Sequence, residues 1–144
     1  MVTIRRVKTL TPQVLKVLSR FDARFFGGCP PHPKDEAEWW IAYDGKTPVG
    51  FAGLGFLDQD KTAVLVRVAV LREFRGKGLH RRLISVREQY ARKIRCKQVV
   101  AYTSVTNRPS MVALLKSGYE VYFPRLRWDG SWGHKGWVYF RKRL

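Results

Sequence analysis

Apolar residues near the start of the chain recur at helical spacing. The apolar positions are separated by four, three and four residues and are Val14, Leu18, Phe21 and Phe25. This spacing places them on one face of an amphipathic helix. Thr11 before Pro12 is typical of a helix N-terminus, and Gly27-Gly28 is typical of its end. Before this helix, the β-rich run 2–7 predicts a short strand.

The middle of the chain changes to patterns that are typical of strands. The runs 39–43 and 48–57 flank a turn at 44–47 and predict an antiparallel pair. The second of these runs contains several glycines, which indicates bends or a close approach of the backbone. The run 62–71 is almost continuously apolar and predicts a strand that is buried on both faces.

The second half alternates helices and strands. Apolar residues at helical spacing follow the glycine-rich turn 75–78 and are Leu79, Leu83, Val86, Tyr90 and Ile94. A strand is predicted at 98–103. The next helix has Asn107 as its N-cap and ends at Gly118. Strands at 119–123 and 136–141 complete a mixed α/β layout, and the length favours a single domain over 1–144.

Composition adds one extreme feature, which is a strongly positive charge. The chain has 28 Lys and Arg against 11 Asp and Glu, a formal net charge of +17. Such a field attracts polyanions, so nucleic acid, an acidic protein or a phosphorylated cofactor is a possible partner, beside a surface that is simply basic and solvated. No apolar run is long enough for a membrane helix or a signal peptide, so a cytoplasmic protein without membrane association is expected. Cys29 and Cys96 are expected to be reduced thiols, and no cysteine or histidine spacing indicates a metal site.

The segment from the buried strand into the next helix has the properties of an anion site. The sequence Arg75-Gly76-Lys77-Gly78 joins the run 62–71 to the helix that starts near Leu79. Unpaired backbone N–H groups and the helix dipole favour negative charge at such a helix start. Glycine also lets the backbone approach a phosphate closely. The pattern matches neither a Walker loop nor a dinucleotide fingerprint.

This segment resembles the acetyl-CoA-binding motif of the GNAT (N-acetyltransferase) superfamily. Val68-Ala69-Val70 followed by Phe74 to Leu79 is similar to the family's strand, Gln/Arg-x-x-Gly-x-Gly/Ala turn and helix. Arg75 fills the first motif position and Gly78 the central glycine. His80 departs from the family pattern, which has glycine or alanine there, and we expect it to contact the cofactor or to rotate outward.

A second segment strengthens the resemblance. The residues from Asn107 through Ser110 and Leu114 to Gly118 are similar to the family's Asn-x-x-Ala-x-x-x-Tyr-x-x-x-Gly. The two motifs stand in the family's order and on the expected elements. The resemblance therefore implies the acyl-CoA N-acyltransferase fold, a mostly antiparallel twisted sheet with a splayed parallel strand pair and flanking helices.

By resemblance, the activity is transfer of an acetyl group from acetyl-CoA to an amine by direct attack in a ternary complex. The strand backbone would hold the pantetheine arm and the thioester carbonyl, the turn would hold the pyrophosphate, and the second motif would line the other side of the arm. The implied cofactor-binding residues are Val68, Ala69, Val70, Arg75, Gly76, Lys77, Gly78, Leu79, His80, Arg81, Asn107 and Ser110. Many relatives are dimers, so a homodimer is also an expectation.

The catalytic residues are not fixed by the resemblance. The family's proton-donating tyrosine falls at Leu114, which cannot donate a proton. Other hydroxyl groups nearby are Tyr102, Ser104, Tyr119 and Tyr122, and spacing selects none of them. The candidates for the base are a water chain or the carboxylates of Asp35, Glu36 and Glu38. The alternative function is an inactive binding module of the same fold for CoA or nucleic acid.

The acceptor is expected to contact residues 26–38 and 124–135. The second of these segments contains a basic and aromatic cluster, Arg125, Arg127, Trp128, Trp132, His134 and Lys135. This interleaving suits nucleic acid or an anionic small molecule, although a hairpin loop whose tryptophans pack on the core explains it slightly better. The identity of the acceptor amine stays open.

Overall fold

The fold is a twisted seven-stranded sheet with helices on both faces. The computed structural model describes residues 1–28, 32–57, 61–124 and 136–144. The strand order is β1-β2-β3-β4-β5-β7-β6, and the neighbours are antiparallel except for the parallel pair β4 and β5. The elements are β1 Val2–Arg6, α1 Pro12–Phe26, β2 Glu38–Asp44, β3 Thr47–Leu57, β4 Thr62–Val70, α2 Leu79–Lys93, β5 Gln98–Ser104, α3 Arg108–Lys116, β6 Glu120–Tyr122 and β7 Trp137–Arg143. The mixed α/β class that the sequence predicts is confirmed.

Each face of the sheet has its own apolar core. Helix α1 packs on one face through Leu18 and Phe21, which meet Trp39 and Phe51 of the sheet. Helices α2 and α3 cover the other face, where the buried residues include Leu79, Leu83, Ile84, Val99, Leu114 and Phe140. Burial of side chains this large is the main stabilising contribution on each side. In the described part of the chain, no helix is long and apolar enough to cross a bilayer.

The helix ends follow the sequence signals closely. The Thr11 hydroxyl accepts a hydrogen bond from the Val14 amide at 3.2 Å, and α1 ends at Gly27 as predicted. Helix α2 begins at Leu79, because Gly78 before it has a left-handed conformation with φ of 78°. The prediction that Ile94 belongs to the apolar face of α2 is wrong. This residue lies beyond the helix end and is 43% exposed.

Strands β4 and β5 part after a short paired region. Their parallel pairing is restricted to residues 62–64 with 98–100, although both strands continue. This confirms the expected splayed pair. The expectation that β4 is buried on both faces is wrong for residues 65–68, which are only half-buried. They are half-buried because no neighbouring strand in the described chain covers that side beyond Val64.

A β-bulge in β4 lies at the start of this separation. Ala52 of β3 pairs with Val68 and Gly53 pairs with Val66, so Arg67 is the extra residue. Arg67 has φ of 32°, which is unusual for a residue other than glycine. The buried Arg87 of α2 supports the bulge, since its Nη1 donates to the Gly53 carbonyl at 2.9 Å and lies 3.4 Å from the Val66 carbonyl.

A buried ionic cluster ties α2 to the end of the sheet. Glu88 is 4% exposed and accepts hydrogen bonds from the Lys142 ammonium at 2.8 Å and from the Tyr119 hydroxyl at 3.4 Å. Lys142 also donates to the Ser117 carbonyl at 2.7 Å. A buried carboxylate needs such partners to offset its desolvation. The cluster therefore fixes α2, the end of α3 and β7 relative to one another.

We predict that Gly53→Ala destabilises the protein by about 1–3 kcal/mol, because the added methyl group overpacks the core. A Cβ atom at Gly53 would lie 2.7 Å from both the Trp39 ring and the Val66 side chain. Urea unfolding monitored by circular dichroism measures the free energy of unfolding. Gly55→Ala is the matched control in the same strand, since its Cβ would meet only Val66, at 3.5 Å. Equal losses of stability in the two variants would contradict this account of the close packing around Gly53.

Candidate functional site

A cavity of about 640 Å³ lies where the parallel strands separate. Its walls come from the end of β4, the glycine-rich turn with the start of α2, the start of α3 and the end of α1. The lining residues are Phe25, Phe26, Val68, Ala69, Val70, Phe74, Arg75, Gly76, Gly78, Leu79, His80, Arg81, Asn107, Pro109, Ser110, Val112, Ala113 and Lys116. The cavity therefore joins the two segments that the sequence singled out.

The structure brings the sequence-predicted binding residues together around this one cavity. All of them line it except Lys77. The Lys77 ammonium lies 5.8 Å from the centre of the Phe74 ring, and the residue borders a neighbouring groove instead. Residues separated by nearly 40 positions meet because β4 and β5 are parallel, so the segments that follow each strand leave the sheet at the same end.

The glycine-rich turn is open to a ligand. Gly76 and Gly78 have φ of 75° and 78°, and a Cβ atom added at either would meet nothing within 4 Å. No side chain of the described residues caps the start of α2. The first backbone N–H groups of this helix therefore lack intrahelical and capping partners, and together with the helix dipole they favour an anion.

Arg75 holds this turn on the end of β4. Its Nε donates to the Val70 carbonyl at 2.9 Å, and its guanidinium lies 6.0 Å from the centre of the Phe25 ring. These contacts connect the turn to both β4 and α1. Arg75 thus has a structural role in addition to the phosphate contact that the family resemblance implies.

His80 is directed inward and is neutral at ordinary pH. Burial, with a smaller contribution from the positive charge of Arg87, lowers the pKa of His80 from 6.5 to about 4. The side chain still lines the cavity. The larger residue at this motif position is therefore accommodated as an uncharged imidazole in the cavity wall.

The second motif starts α3 on the opposite wall. The Asn107 side-chain carbonyl accepts a hydrogen bond from the Ser110 amide at 3.3 Å and caps the helix. Asn107 and Ser110 both line the cavity. Asn107 consequently has a structural function besides any contact with a ligand.

The four hydroxyl candidates for catalysis lie away from the described lining of the cavity. Tyr119 is buried against Glu88, and burial followed by the charge of Glu88 raises its pKa. Tyr102 stacks edge-on with Trp137 at 4.9 Å, and Tyr122 lies under the Arg141 guanidinium at 4.9 Å. The Ser104 hydroxyl is 2.9 Å from that of Thr106. The family position of the acid, Leu114, is 4% exposed and belongs to the core.

The candidate carboxylates lie away from the described lining as well. Asp35 and Glu36 are exposed in the single helical turn Lys34–Glu36, which fits a solvated turn. Glu38 accepts hydrogen bonds from Arg6 at 3.0 Å and from the Tyr90 hydroxyl at 3.3 Å. None of the described residues that line the cavity is an Asp or Glu.

Sequence reasoning included Phe26 in the acceptor segment 26–38 but missed Phe25 and the rest of the contribution of α1 to the site. Phe25 and Phe26 at the end of α1 line the cavity, and the Arg67 guanidinium lies 4.6 Å from the Phe26 ring centre. Asp22, which is 5% exposed, holds both Lys34 and Arg67 through ion pairs. The available signals were the Phe doublet before Gly27 and a lone arginine within the apolar run of β4.

Two expectations fall on undescribed parts of the chain. The basic and aromatic cluster that contains Arg125, Arg127, Trp128, Trp132, His134 and Lys135 lies outside the described residues. Cys29 does so too, whereas Cys96 is a free thiol.

Comparison of the sequence with protein-family models gives one match. Residues 13–119 match the model described as the acetyltransferase (GNAT) family. The matched range includes the end of β4, the glycine-rich turn and the whole of α3. Comparison with curated protein sequences gives no match.

Solved structures share the fold over nearly the whole chain. An acetyltransferase from Streptococcus agalactiae has a TM-score of 0.76 at 20% identity, and the match covers 99% of this chain and 98% of that acetyltransferase. The Bacillus subtilis acetyltransferase in complex with CoA has a TM-score of 0.71 at 15% identity, and the match covers 100% of this chain and 99% of that enzyme's chain. The ribosomal-protein-S18-alanine N-acetyltransferase from Escherichia coli has a TM-score of 0.72 at 14% identity, with 99% and 94% covered.

At these identities the structural likeness concerns the fold, and the family assignment rests on the sequence match. That match covers well over half of the chain and includes both cavity-lining motifs. This protein therefore belongs to the acetyltransferase (GNAT) family.

Proposed function

We propose that this protein transfers an acetyl group from acetyl-CoA to the amine of an acceptor. One observation carries the proposal: the cavity combines an uncapped helix start at a glycine-rich turn with a gap between two parallel strands. The first feature suits a pyrophosphate, and the second suits an extended arm that carries amide groups.

The cavity residues divide into two binding roles. At the turn, the N–H groups from Gly76 to Arg81 would bind the phosphates, with Arg75 holding the turn in place. Along β4, the polar backbone groups of residues 68–70 on the β5 side have no strand partner in the described chain. The Val70 carbonyl already accepts from Arg75 Nε. Buried backbone groups require hydrogen-bond partners, and an arm lying beside β4 would supply them to the remaining groups. Asn107 and Ser110 would border the arm from α3.

The chemistry that acetyl-CoA supplies is an acetyl group activated as a thioester. In the proposed reaction, the amine nitrogen bonds to the acetyl carbon, the carbon–sulfur bond breaks and the amine loses a proton. The chain contributes position and polarisation, because β4 holds its unpaired N–H groups in a fixed direction next to the bulge.

We further propose that no tyrosine or serine side chain acts as an essential proton donor. The described lining of the cavity contains no tyrosine, aspartate or glutamate. Its serine, Ser110, lies in the first turn of α3, and no acidic residue in that turn could act as a base for its hydroxyl. Water in the open cavity would then carry the proton from the amine, and the thiolate would leave without a dedicated acid.

The acceptor amine would approach from the α1 side of the cavity. Phe25 and Phe26 form an apolar edge there, and Arg67 lies beside Phe26. Because Asp22 pairs with Arg67, the positive charge at this edge is partly neutralised. An apolar edge of this kind favours the uncharged form of an amine, which is the form that can attack the thioester.

A second candidate function is a binding module that retains CoA without catalysis. The observation that favours it is the same lack of a tyrosine, aspartate or glutamate among the described lining residues, together with the burial of Leu114. Release of free thiol from acetyl-CoA with a panel of amines distinguishes the two functions. Thiol release that depends on an amine supports the enzyme, whereas CoA binding without release supports the module.

We predict that Gly78→Ala weakens CoA binding about tenfold, because a left-handed φ costs an L-residue about 1–2 kcal/mol and the turn must shift. Isothermal titration calorimetry gives the dissociation constant. Gly45→Ala is the matched control, since Gly45 also has a positive φ, of 61°, with nothing within 4 Å of an added Cβ, and lies in the β2–β3 turn. Both variants should lose similar stability. If Gly45→Ala weakens CoA binding equally, the turn at Gly78 is not the phosphate site.

We predict that Tyr102→Phe, Tyr119→Phe, Tyr122→Phe and Ser104→Ala each lower kcat by less than about tenfold. Loss of a true general acid or base costs about 10²–10⁴-fold. Steady-state kinetics with the best amine from the panel gives kcat, and calorimetry with CoA checks that binding is intact. A loss of about a hundredfold or more at one position, with binding unchanged, would identify the proton donor and contradict this proposal.

We predict that wild-type protein loses about 1–2 kcal/mol of stability, relative to His80→Asn, between pH 7 and pH 5. The folded-state pKa of His80, about 4, lies below its ordinary value of 6.5. The unfolded chain therefore binds more protons over this range, and stability falls as the pH falls from 6.5 towards 4. Urea unfolding at the two pH values provides the measurement. His32→Asn controls for loss of a histidine, and equal pH dependence of wild type and His80→Asn would show that His80 is not buried in the cavity wall.

A further inference from the structure

A second cavity, also of about 640 Å³, lies along the solvent side of α2. We call it the α2 groove, and its described lining consists of Lys77, Gly78, Arg81, Arg82, Ser85, Glu88, Arg92, Lys116, Ser117 and Lys142. The residues come from α2, from the end of α3 and from β7. The α2 groove is thus built by several elements and is not a patch on a single helix.

The charge of the α2 groove is almost entirely positive. Six of its described lining residues are Lys or Arg, and Glu88 is the single carboxylate among them. That carboxylate is already neutralised, because the Lys142 ammonium lies 2.8 Å from it and the Arg92 guanidinium lies 3.7 Å from it. The other four cations form no ion pair with a carboxylate of the described residues, so their fields add over the groove.

The described lining contains no apolar side chain. Every residue in it is Lys, Arg, Ser, Gly or Glu. Pockets for small organic ligands are mostly apolar, and the centres of protein–protein interfaces are enriched in aromatic residues. Surfaces that contact nucleic-acid backbones, in contrast, use Lys, Arg, Ser and backbone N–H groups on phosphates. The composition of the α2 groove therefore favours a phosphate backbone over an acidic protein or a metabolite.

We propose that the α2 groove binds the phosphate backbone of a nucleic acid, without reading its sequence. The groove follows α2 from Gly78 to Arg92, which corresponds to about 21 Å at 1.5 Å per residue. One strand of a duplex presents a phosphate every 3.4 Å or so along the axis, so several phosphates lie within reach of these cations at once. Contacts to phosphates alone give affinity and orientation but no base specificity.

The α2 groove adjoins the cofactor cavity without coinciding with it. Gly78, Arg81 and Lys116 line both, and the Arg81 guanidinium donates to the Lys116 carbonyl at 3.3 Å along this shared rim. Arg82 and Arg92 line only the α2 groove. The proposal can therefore be tested at residues outside the cofactor cavity, and it does not rest on the proposed acetyl transfer.

The test compares two double variants that remove the same charge from opposite faces of the sheet. Arg82→Gln with Arg92→Gln alters the α2 groove, and both positions are exposed on α2. Lys16→Gln with Arg20→Gln is the matched control, and both positions are exposed on α1. Glutamine has a helix propensity similar to that of lysine and arginine, so the helices are preserved. Fluorescence anisotropy with labelled RNA and DNA, single-stranded and duplex, gives dissociation constants between about 50 and 200 mM salt.

Wild-type protein is expected to bind at least one of these probes with an affinity that falls steeply with salt. The groove double variant should lower the salt slope by about one to two, since Arg92 is partly engaged by Glu88, and should weaken binding about tenfold or more, whereas the control should retain most of the affinity. Equal losses in the two double variants would overturn the proposal, since binding would then follow net charge and not the groove. Absence of binding to every probe, or binding that is insensitive to salt, would also overturn it.

Two further measurements exclude other occupants of the groove. In a competition assay, poly-glutamate and unlabelled RNA are compared as competitors of the labelled nucleic acid. If poly-glutamate displaces it as efficiently as unlabelled RNA does, an acidic protein is the better partner and the proposal is wrong. If the groove double variant weakens the binding of CoA about tenfold but leaves the binding of dephospho-CoA unaffected, the groove holds the 3′-phosphate of the cofactor and the proposal is wrong.

Should the double variant fail to fold, Ser85→Glu is the substitute, because it adds a negative charge to the exposed groove face of α2. This variant must then weaken nucleic-acid binding in the same way.

Discussion

The buried guanidinium of Arg87 fixes the place where the sheet opens. It donates to the carbonyls of Leu83 and Gly53 at 2.9 Å each and lies 3.4 Å from the Val66 carbonyl, so that it connects α2 to the paired residues Gly53 of β3 and Val66 of β4 next to the bulge. Burial lowers the pKa of Arg87 to about 10, which still leaves the group charged at neutral pH. The desolvation of this charge is offset by its hydrogen bonds to backbone carbonyls. Arg87 therefore holds α2 and the bulge in a fixed position relative to each other, and together they border the gap beside β4. We call α2 and the bulge, joined by Arg87, a single unit.

This unit explains how the cavity acquires its two kinds of binding surface. The bulge turns β4 away from β5 after Val64 and leaves the backbone of residues 68–70 facing the gap. The same strand continues into the turn at Gly76 and Gly78, whose open backbone exposes the start of α2. The backbone edge of β4 and the uncapped start of α2 thus follow one another along the chain. The α2 groove begins at the same helix start but follows its solvent side, so the two cavities share a rim and differ in chemistry.

Local features of the fold could be predicted from the sequence, whereas features that depend on distant contacts could not. The caps at Thr11 and Asn107 and the glycine-rich turn depend on a few adjacent residues, and each is visible in the sequence. The bulge at Arg67 depends on the opposing Gly53 and on Arg87, which is distant in sequence, so the apolar pattern of β4 suggested an uninterrupted buried strand. The mostly antiparallel sheet with its splayed parallel pair came from the family resemblance and not from periodicity.

The same distinction applies to the candidate site. The meeting of the motif residues in one cavity could be predicted, because the family resemblance already contained their relative placement. Lys77 departs from the expected set, since the side chain after a left-handed glycine points to the groove side of the turn. Phe25 and Phe26 could not be assigned to the site from helical spacing, because spacing separates a buried helix face from a solvated one and does not identify a cavity edge. The hydroxyl and carboxylate candidates were chosen by proximity in sequence, and their side chains interact elsewhere.

The central claim is that the start of α2 and the free edge of β4 together hold coenzyme A. Backbone amide chemical shifts of ¹⁵N-labelled protein, recorded during titration with CoA, test this claim most directly. We expect the largest shifts at residues 76–81 and 68–70, with smaller ones at Asn107 and Ser110. Saturable binding whose largest shifts lie outside both segments, or a folded protein whose amides do not respond to CoA, would contradict it.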